Sequence, residues 1–219
     1  MSIKVTYYLD VVSSWCHWAE PAWAELKRRY ADRAEFHWRI ALLGPESMPV
    51  SRNQEDWFYR RSGVITNSPY GLRSDWMEPG LREYLAPNCV ALAARDLGAV
   101  DDRVRLAIAH AAMREGRKVG IWEESADAAA RASGLNPREL LDKARSPEIE
   151  RQARETTVEF HGLKINQRPA FVLDNAIEDR VVFSGFWRFE PIDAAMQSLL
   201  ADAAAYSSWK AHFGAPPAE

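Results

Sequence analysis

Asp10-Val11-Val12-Ser13-Ser14-Trp15-Cys16-His17-Trp18 joins a strongly alternating run, Ile3-Lys4-Val5-Thr6-Tyr7-Tyr8-Leu9, to a run with helical spacing through Ala22, Leu26 and Tyr30. Alternation of apolar and polar residues predicts a strand, and the spacing after the turn predicts a helix over about 15–30. A strand that turns at once into a helix leaves the first amides of that helix unpaired. Those amides favour a thiolate, carboxylate or phosphate beside them. Ser13 to Cys16 lie in that field.

Working outward, Ala34-Glu35-Phe36-His37-Trp38-Arg39-Ile40 reads as a second strand with Phe36, Trp38 and Ile40 on one face, which completes a βαβ unit. Such crossovers are right-handed with parallel strands, and ligands bind at the carboxyl ends of those strands, where Ser13 falls. Residues 44–67 read as a loop, a short helix and another loop. From 78 to 160 nearly every segment has helical period, with helices expected near 81–97, 102–114, 123–132, 137–144 and 146–160. Gly98, Gly116 and Gly134 follow helix ends, and Pro137 and Pro147 suit first-turn positions. Strand signals return at 169–173 and 180–184, and a helix is expected over 191–204. The expectation is an α/β chain with the thioredoxin order βαβ…ββα and an all-helical domain inserted in its crossover. Residues 1–43 and 162–204 would form the thioredoxin-like part, 44–161 the loop and helical insertion, and 205–219 a peripheral tail. No tandem repeat or low-complexity tract is present.

The totals narrow the function. With 219 residues and 47% hydrophobic content the chain can bury a sizeable core. A net charge of -3 and a pI near 6.0 argue against a nucleic-acid partner or an anionic membrane surface. No apolar run approaches the roughly 20 residues needed to span a bilayer, and the sequence opens on a strand pattern, so a cytoplasmic protein is expected. The two cysteines, Cys16 and Cys89, sit in unrelated contexts, and no disulfide between them is expected. The five histidines are scattered and neither cysteine has a ligand-spaced partner, so no metal is expected.

The element order and the active-site turn together resemble the DsbA-like superfamily of the thioredoxin fold, from Ile3 to about Leu200. That superfamily holds disulfide oxidoreductases, kappa-class glutathione transferases and 2-hydroxychromene-2-carboxylate isomerases. Redox members carry Cys-x-x-Cys at the start of the first helix. Here the four residues are Ser13-Ser14-Trp15-Cys16, so the second cysteine is kept and the first is Ser13. Arg168-Pro169-Ala170-Phe171 resembles the cis-proline segment opening the third strand, whose residue before the proline presents its backbone to a bound thiol or peptide. The resemblance implies Ser13 and Cys16 as catalytic residues, with Ser14, Trp15, Arg168 and Pro169 in ligand binding.

A two-cysteine site works because a thiolate of low pKa attacks a disulfide and the second cysteine resolves the product. Ser13 cannot take the first step, since its hydroxyl stays protonated at neutral pH without a base. It can donate a hydrogen bond to a sulfur, which is the role the resemblance to the transferases and isomerases implies, with glutathione as the bound thiol. Cys16 reads either as a monothiol that forms mixed disulfides or as a small buried residue. His17 is a candidate base or an exposed first-turn histidine. Arg60 and Arg61 are candidates to clamp a carboxylate, or a solvated helix end. Where glutathione-binding relatives carry a Ser-Asp pair near the last strand, this chain has Gly185-Phe186-Trp187, a departure that favours a larger or more apolar ligand.

Three functions remain open on sequence: a thiol oxidoreductase using an atypical Ser-Ser-Trp-Cys site, a glutathione-dependent isomerase or transferase, and a non-catalytic protein that captures a peptide or small molecule. The expected partner is a small thiol or thiol-linked substrate, with a homodimer left open.

Overall fold

The computed structural model describes residues 2–78 and 80–215. The first strand, β1 (Ile3–Leu9), is followed by α1 (Ser14–Arg29) and β2 (Ala34–Ile40). Then come α2 (Arg52–Ile65), α3 (Leu85–Asp96), α4 (Arg103–Met113), α5 (Trp122–Ser133), α6 (Pro137–Ala144) and α7 (Pro147–Gly162), and the chain closes with β3 (Ala170–Asp174), β4 (Arg180–Ser184) and α8 (Phe189–Phe213). The sheet order is β2-β1-β3-β4, with β1 parallel to β2 and antiparallel to β3. This is a thioredoxin fold carrying a helical insertion between β2 and β3, as the sequence leads one to expect.

β1 is central, and its alternation separates two apolar layers rather than a core face from a wet one. Ile3, Val5, Tyr7 and Leu9 pack with Trp23 and Leu26 of α1 and with Ile192, Met196 and Leu199 of α8 in one cluster. Tyr8 faces the other way with Ala41, Phe160, Ala170 and Val172, under α7. The first cluster runs on into Cys89 to Ala94 of α3 and Val104 and Ile108 of α4, so the sheet and the inserted helices share one apolar interior. Polar ties fix α1 against α4. Buried Arg105 pairs with Glu20 and, at 2.9 Å, with Asp102, which also takes the indole N–H of Trp23 at 3.0 Å.

Two expectations need correction. The short helix expected within 44–67 is the 14-residue α2. Its start is signalled by Ser51, whose hydroxyl accepts the Gln54 amide at 3.2 Å while the Gln54 side chain accepts the Val50 amide at 2.7 Å, an arrangement close to a capping box. Most of the tail expected over 205–219 is helix as well, because α8 runs to Phe213 and stops at Gly214 with φ 80°. Residues 216–219 lie outside the described residues. The last turns of α8 leave Tyr206, Trp209 and Phe213 exposed, so no packed face marks them in the sequence.

The turn after β1 is held by buried polar groups. Asp10 accepts hydrogen bonds from the amides of Val12 (3.0 Å) and Leu43 (2.9 Å) and from the side chain of Asn88 in α3 (3.1 Å). The Asn88 carbonyl oxygen in turn accepts the Val11 amide at 3.0 Å, and its amide donates to the Tyr84 carbonyl at 2.9 Å. Asn88 is fully buried, so removing its side chain strands several groups without water. Asn88→Ala is expected to lower unfolding free energy by about 2–4 kcal/mol in urea denaturation; a loss under about 0.5 kcal/mol would show that the turn is held by other means.

Candidate functional site

Ser13 is the N-cap of α1, with φ -76° and ψ 120°, and its hydroxyl oxygen accepts the Cys16 amide at 3.4 Å. Its own amide is spent on the Asp10 carbonyl at 3.1 Å. Accepting the Cys16 amide uses a lone pair and leaves the Ser13 O–H proton to donate, either toward the Cys16 sulfur or to a ligand. The amides of Ser14 and Trp15 have no hydrogen-bond partner among the described residues, so two helix N-terminal donors stand beside that hydroxyl.

Opposite this turn the Arg168–Pro169 peptide is cis. The Pro169 carbonyl accepts the Gly185 amide at 2.8 Å, while neither backbone polar group of Arg168 has a partner among the described residues. The Arg168 side chain is occupied: its guanidinium donates to the Ala41 carbonyl and, at 2.6 Å, to the Leu42 carbonyl, and it lies 4.5 Å over the Phe160 ring. Burial lowers its pKa, with Asp10 and Cys16 opposing. What Arg168 offers a ligand is therefore its backbone, while its side chain ties the approach to β3 onto the end of β2.

Between the turn and the Arg168 segment lies a cavity of about 290 Å³. Val12, Ser13, Ser14 and Trp15 form one wall and Asn166, Gln167 and Arg168 another. Leu43, Met48 and Trp76 line it from connecting segments, and Glu55, Phe58 and Arg61 reach it from α2. Four of the six expected site residues thus meet here: Ser13, Ser14, Trp15 and Arg168. Pro169 adjoins through its peptide with Arg168. Cys16 is not among the lining residues. It is 3% exposed, and burial pushes its thiol up to about 12, with Ser13 and the Asp10 backbone pulling weakly the other way.

Other candidates fall elsewhere. His17 is half-buried between Trp18 and Tyr70, 3.1 Å from the Tyr70 hydroxyl, and is neither exposed nor at this cavity. Burial, then the charges of Arg114 and His110, push its pKa down to about 4. Trp18 donates to Ser62 at 3.0 Å. Together with Trp187 and Tyr70 it lines a different cavity of about 630 Å³. Gly185-Phe186-Trp187 accordingly does not line the Ser13 cavity. Arg60 points along its own helix toward the Asp56 carbonyl, whereas Arg61 stands at the cavity with no ion-pair partner among the described residues. Cys89 is fully buried, and its thiol is pushed up to about 12 by burial. Among the described residues no group of His, Cys, Asp or Glu is arranged to hold a metal ion, and no helix is long and apolar enough to cross a membrane.

One residue escapes the sequence reading. Glu55 is 7% exposed and lines the cavity; burial raises its pKa to about 7, opposed by the Tyr59 hydroxyl and reinforced by Asp56. The signal available was spacing: Glu55, Tyr59 and Ser62 at i, i+4 and i+7 form the buried face of α2.

The sequence matches the DSBA-like thioredoxin domain over residues 4–197. No curated protein matches. Among solved structures, the chain is similar to the cytosolic disulfide reductase DsbM from Pseudomonas aeruginosa, at 19% identity and a TM-score of 0.72, covering 90% of this chain and 98% of that one. A putative protein disulfide isomerase from Nitrosomonas europaea follows at 18% identity and a TM-score of 0.69, with 98% and 100% covered. A 2-hydroxychromene-2-carboxylate isomerase gives 14% identity and a TM-score of 0.63, with 93% and 98% covered. At these identities the structural likeness concerns the fold, and the match over residues 4–197 carries the assignment: the chain belongs to the family of DSBA-like thioredoxin domains.

Proposed function

We propose that this protein is an enzyme of thiol chemistry whose reacting sulfur belongs to a small bound thiol, glutathione being the candidate, and that it acts as a glutathione-dependent isomerase, transferase or reductase. One observation carries the reading: Ser13 lines the cavity at the start of α1, while the thiol of Cys16, one helical turn on, is buried out of it. A DSBA-like site that lacks an accessible thiol of its own is suited to a ligand that brings one.

The physical case rests on three groups. The Ser13 O–H donates to the ligand sulfur, a hydrogen bond to a charged acceptor worth roughly 1.5–3 kcal/mol. The free amides of Ser14 and Trp15 add about 0.3–1 kcal/mol from the helix end, up to about 2 when partly buried. At roughly 1.4 kcal/mol per pKa unit the sum lowers a thiol from about 8.5 by about one to three, which makes thiolate common at neutral pH. The unpaired backbone of Arg168 would hold the ligand main chain, and Arg61 suits a ligand carboxylate at the cavity mouth. Support comes also from the neighbours, since DsbM has been solved with GSH and another neighbour is an isomerase. A reducing compartment, where glutathione keeps thiols reduced, suits such an enzyme, and DsbM is described as cytosolic.

The reading sets Ser13 against Cys16. Ser13→Ala is expected to weaken glutathione binding by about 10- to 100-fold in titration calorimetry and to cost about 1 kcal/mol of stability through the lost cap. Cys16→Ala should hold the affinity within about threefold and cost only about 1 kcal/mol of packing. The opposite ranking would return the chemistry to Cys16. Alkylation gives a second check: with its thiol near 12, native Cys16 should react roughly a thousandfold more slowly than an ordinary thiol at neutral pH, and fast labelling of the folded protein would refute its burial. Arg61→Ala should weaken glutathione about fivefold, with the loss shrinking at high salt; an unchanged affinity would remove Arg61 from the site.

A further inference from the structure

The cavity holds a carboxyl group that thiol stabilisation by Ser13 and α1 does not use. Glu55, in the first turn of α2, lines the same cavity as Val12, Ser13, Ser14 and Trp15. It is more than nine-tenths buried, yet its carboxylate forms no ion pair and takes no backbone hydrogen bond among the described residues. Its neighbours are Tyr59 on the same helix, whose hydroxyl oxygen accepts the Trp76 indole N–H at 2.9 Å, which leaves the Tyr59 proton to donate toward Glu55. A carboxylate in such a place is held by little besides one phenol and faces a ligand-sized void.

We propose that Glu55 is the proton acceptor for the thiol that binds against Ser13, an inference that rests on the glutathione reading above. On binding, the S–H bond of the ligand breaks and its proton passes to a carboxylate oxygen of Glu55. The electron pair stays on sulfur as a thiolate held by the Ser13 O–H and the Ser14 and Trp15 amides. No electron transfer is involved, and the net charge of the cavity does not change, which matters beside buried groups such as Glu55. In a later step the same proton can return to a leaving sulfur or carbon.

The ionisable groups around Glu55 agree with this assignment. Burial raises its proton affinity most; on α2, Tyr59 lowers it and Asp56 raises it further. The other charged lining groups are the guanidinium of Arg61, further along α2 at the mouth, and that of Arg168, from the segment before β3, which is bound to carbonyls. Tyr84, at the start of α3, feels the charge of Glu55 and is itself pushed up chiefly by burial. The resulting value of about 7 lets Glu55 exist as carboxylate and as acid within the neutral range, as a proton carrier requires.

The test counts protons. Glutathione is titrated into the wild-type protein at about pH 8, above the Glu55 value, in two buffers of different protonation enthalpy, while ultraviolet absorbance follows thiolate formation. The wild type should show thiolate with almost no proton released to buffer, because the negative charge of the thiolate raises the proton affinity of the neighbouring Glu55 above its ligand-free value and Glu55 keeps the proton. In Glu55→Gln, either each thiolate formed should release about one proton or thiolate should fail to form; Glu55→Asp should restore part of the retention. A wild type that releases a full proton per thiolate overturns the inference whether or not the variants fold, as does Glu55→Gln with the wild-type proton count and thiolate signal. Absence of glutathione binding to the wild type instead overturns the glutathione reading, and this inference with it.

Discussion

The buried carboxylate of Asp10 is the constraint on which the site depends. It gathers the amides of Val12 and Leu43 and the side chain of Asn88, three donors from the α1 turn, the end of β2 and α3. Burial raises its pKa and those three hydrogen bonds oppose the rise. Without that arrangement the turn would have buried amides facing no acceptor, and the start of α1 could not be held at one fixed angle to the loop after β2. The position of Ser13 is thus set by a group that itself lies outside the cavity lining.

The same turn explains why serine and cysteine are not interchangeable here. The N-cap position faces the cavity, whereas Cys16, three residues on, turns under the helix beneath Tyr7, whose hydroxyl donates to the Cys16 carbonyl at 3.1 Å. A thiol in the first place would be exposed to the helix-end field and ionise easily; in the second it is desolvated, and burial outweighs that field. The Ser13 hydroxyl has one proton to give. A bound sulfur competes for it with that of Cys16, and a thiolate is the stronger acceptor.

Much of this was legible in the sequence, and the gaps have physical causes. The strands at 34–40 and 180–184 and the helix at 137–144 stand as read, because each is bounded by turn or cap residues and has its own pattern. The α1 turn and the Arg168-Pro169 segment were legible as a pair because both occupy fixed places in the order of elements. The length of α2 was not, because its buried face consists of Glu55, Tyr59 and Ser62, polar groups that break the apolar periodicity a helix usually shows. The end of α8 was missed for a related reason: its last turns are held by local stacking, such as Trp209 on Phe213 at 4.0 Å, with no core face to mark them. Arg168 shows a further limit. Its place before Pro169 was readable, but the capture of its guanidinium by the Ala41 and Leu42 carbonyls joins residues more than a hundred positions apart.

The cavity joins two parts of the chain. The thioredoxin half supplies Ser13 and the Arg168 backbone, and the segment inserted after β2 supplies Met48, Glu55, Phe58, Arg61 and Trp76. Groups that would handle sulfur and groups that would shape and charge the ligand's surroundings therefore come from different parts of the fold. Keeping Glu55 in its place has a thermodynamic sign. Its folded value of about 7 lies above the ordinary carboxyl value of 4.5, so its protonated form favours folding at low pH and that contribution is lost as pH rises from about 4.5 through about 7. A glutamine could pack in the same space without that loss. A carboxyl group kept where it weakens the fold at neutral pH, and where it meets the ligand cavity, is the arrangement expected of a proton acceptor and not of a packing residue.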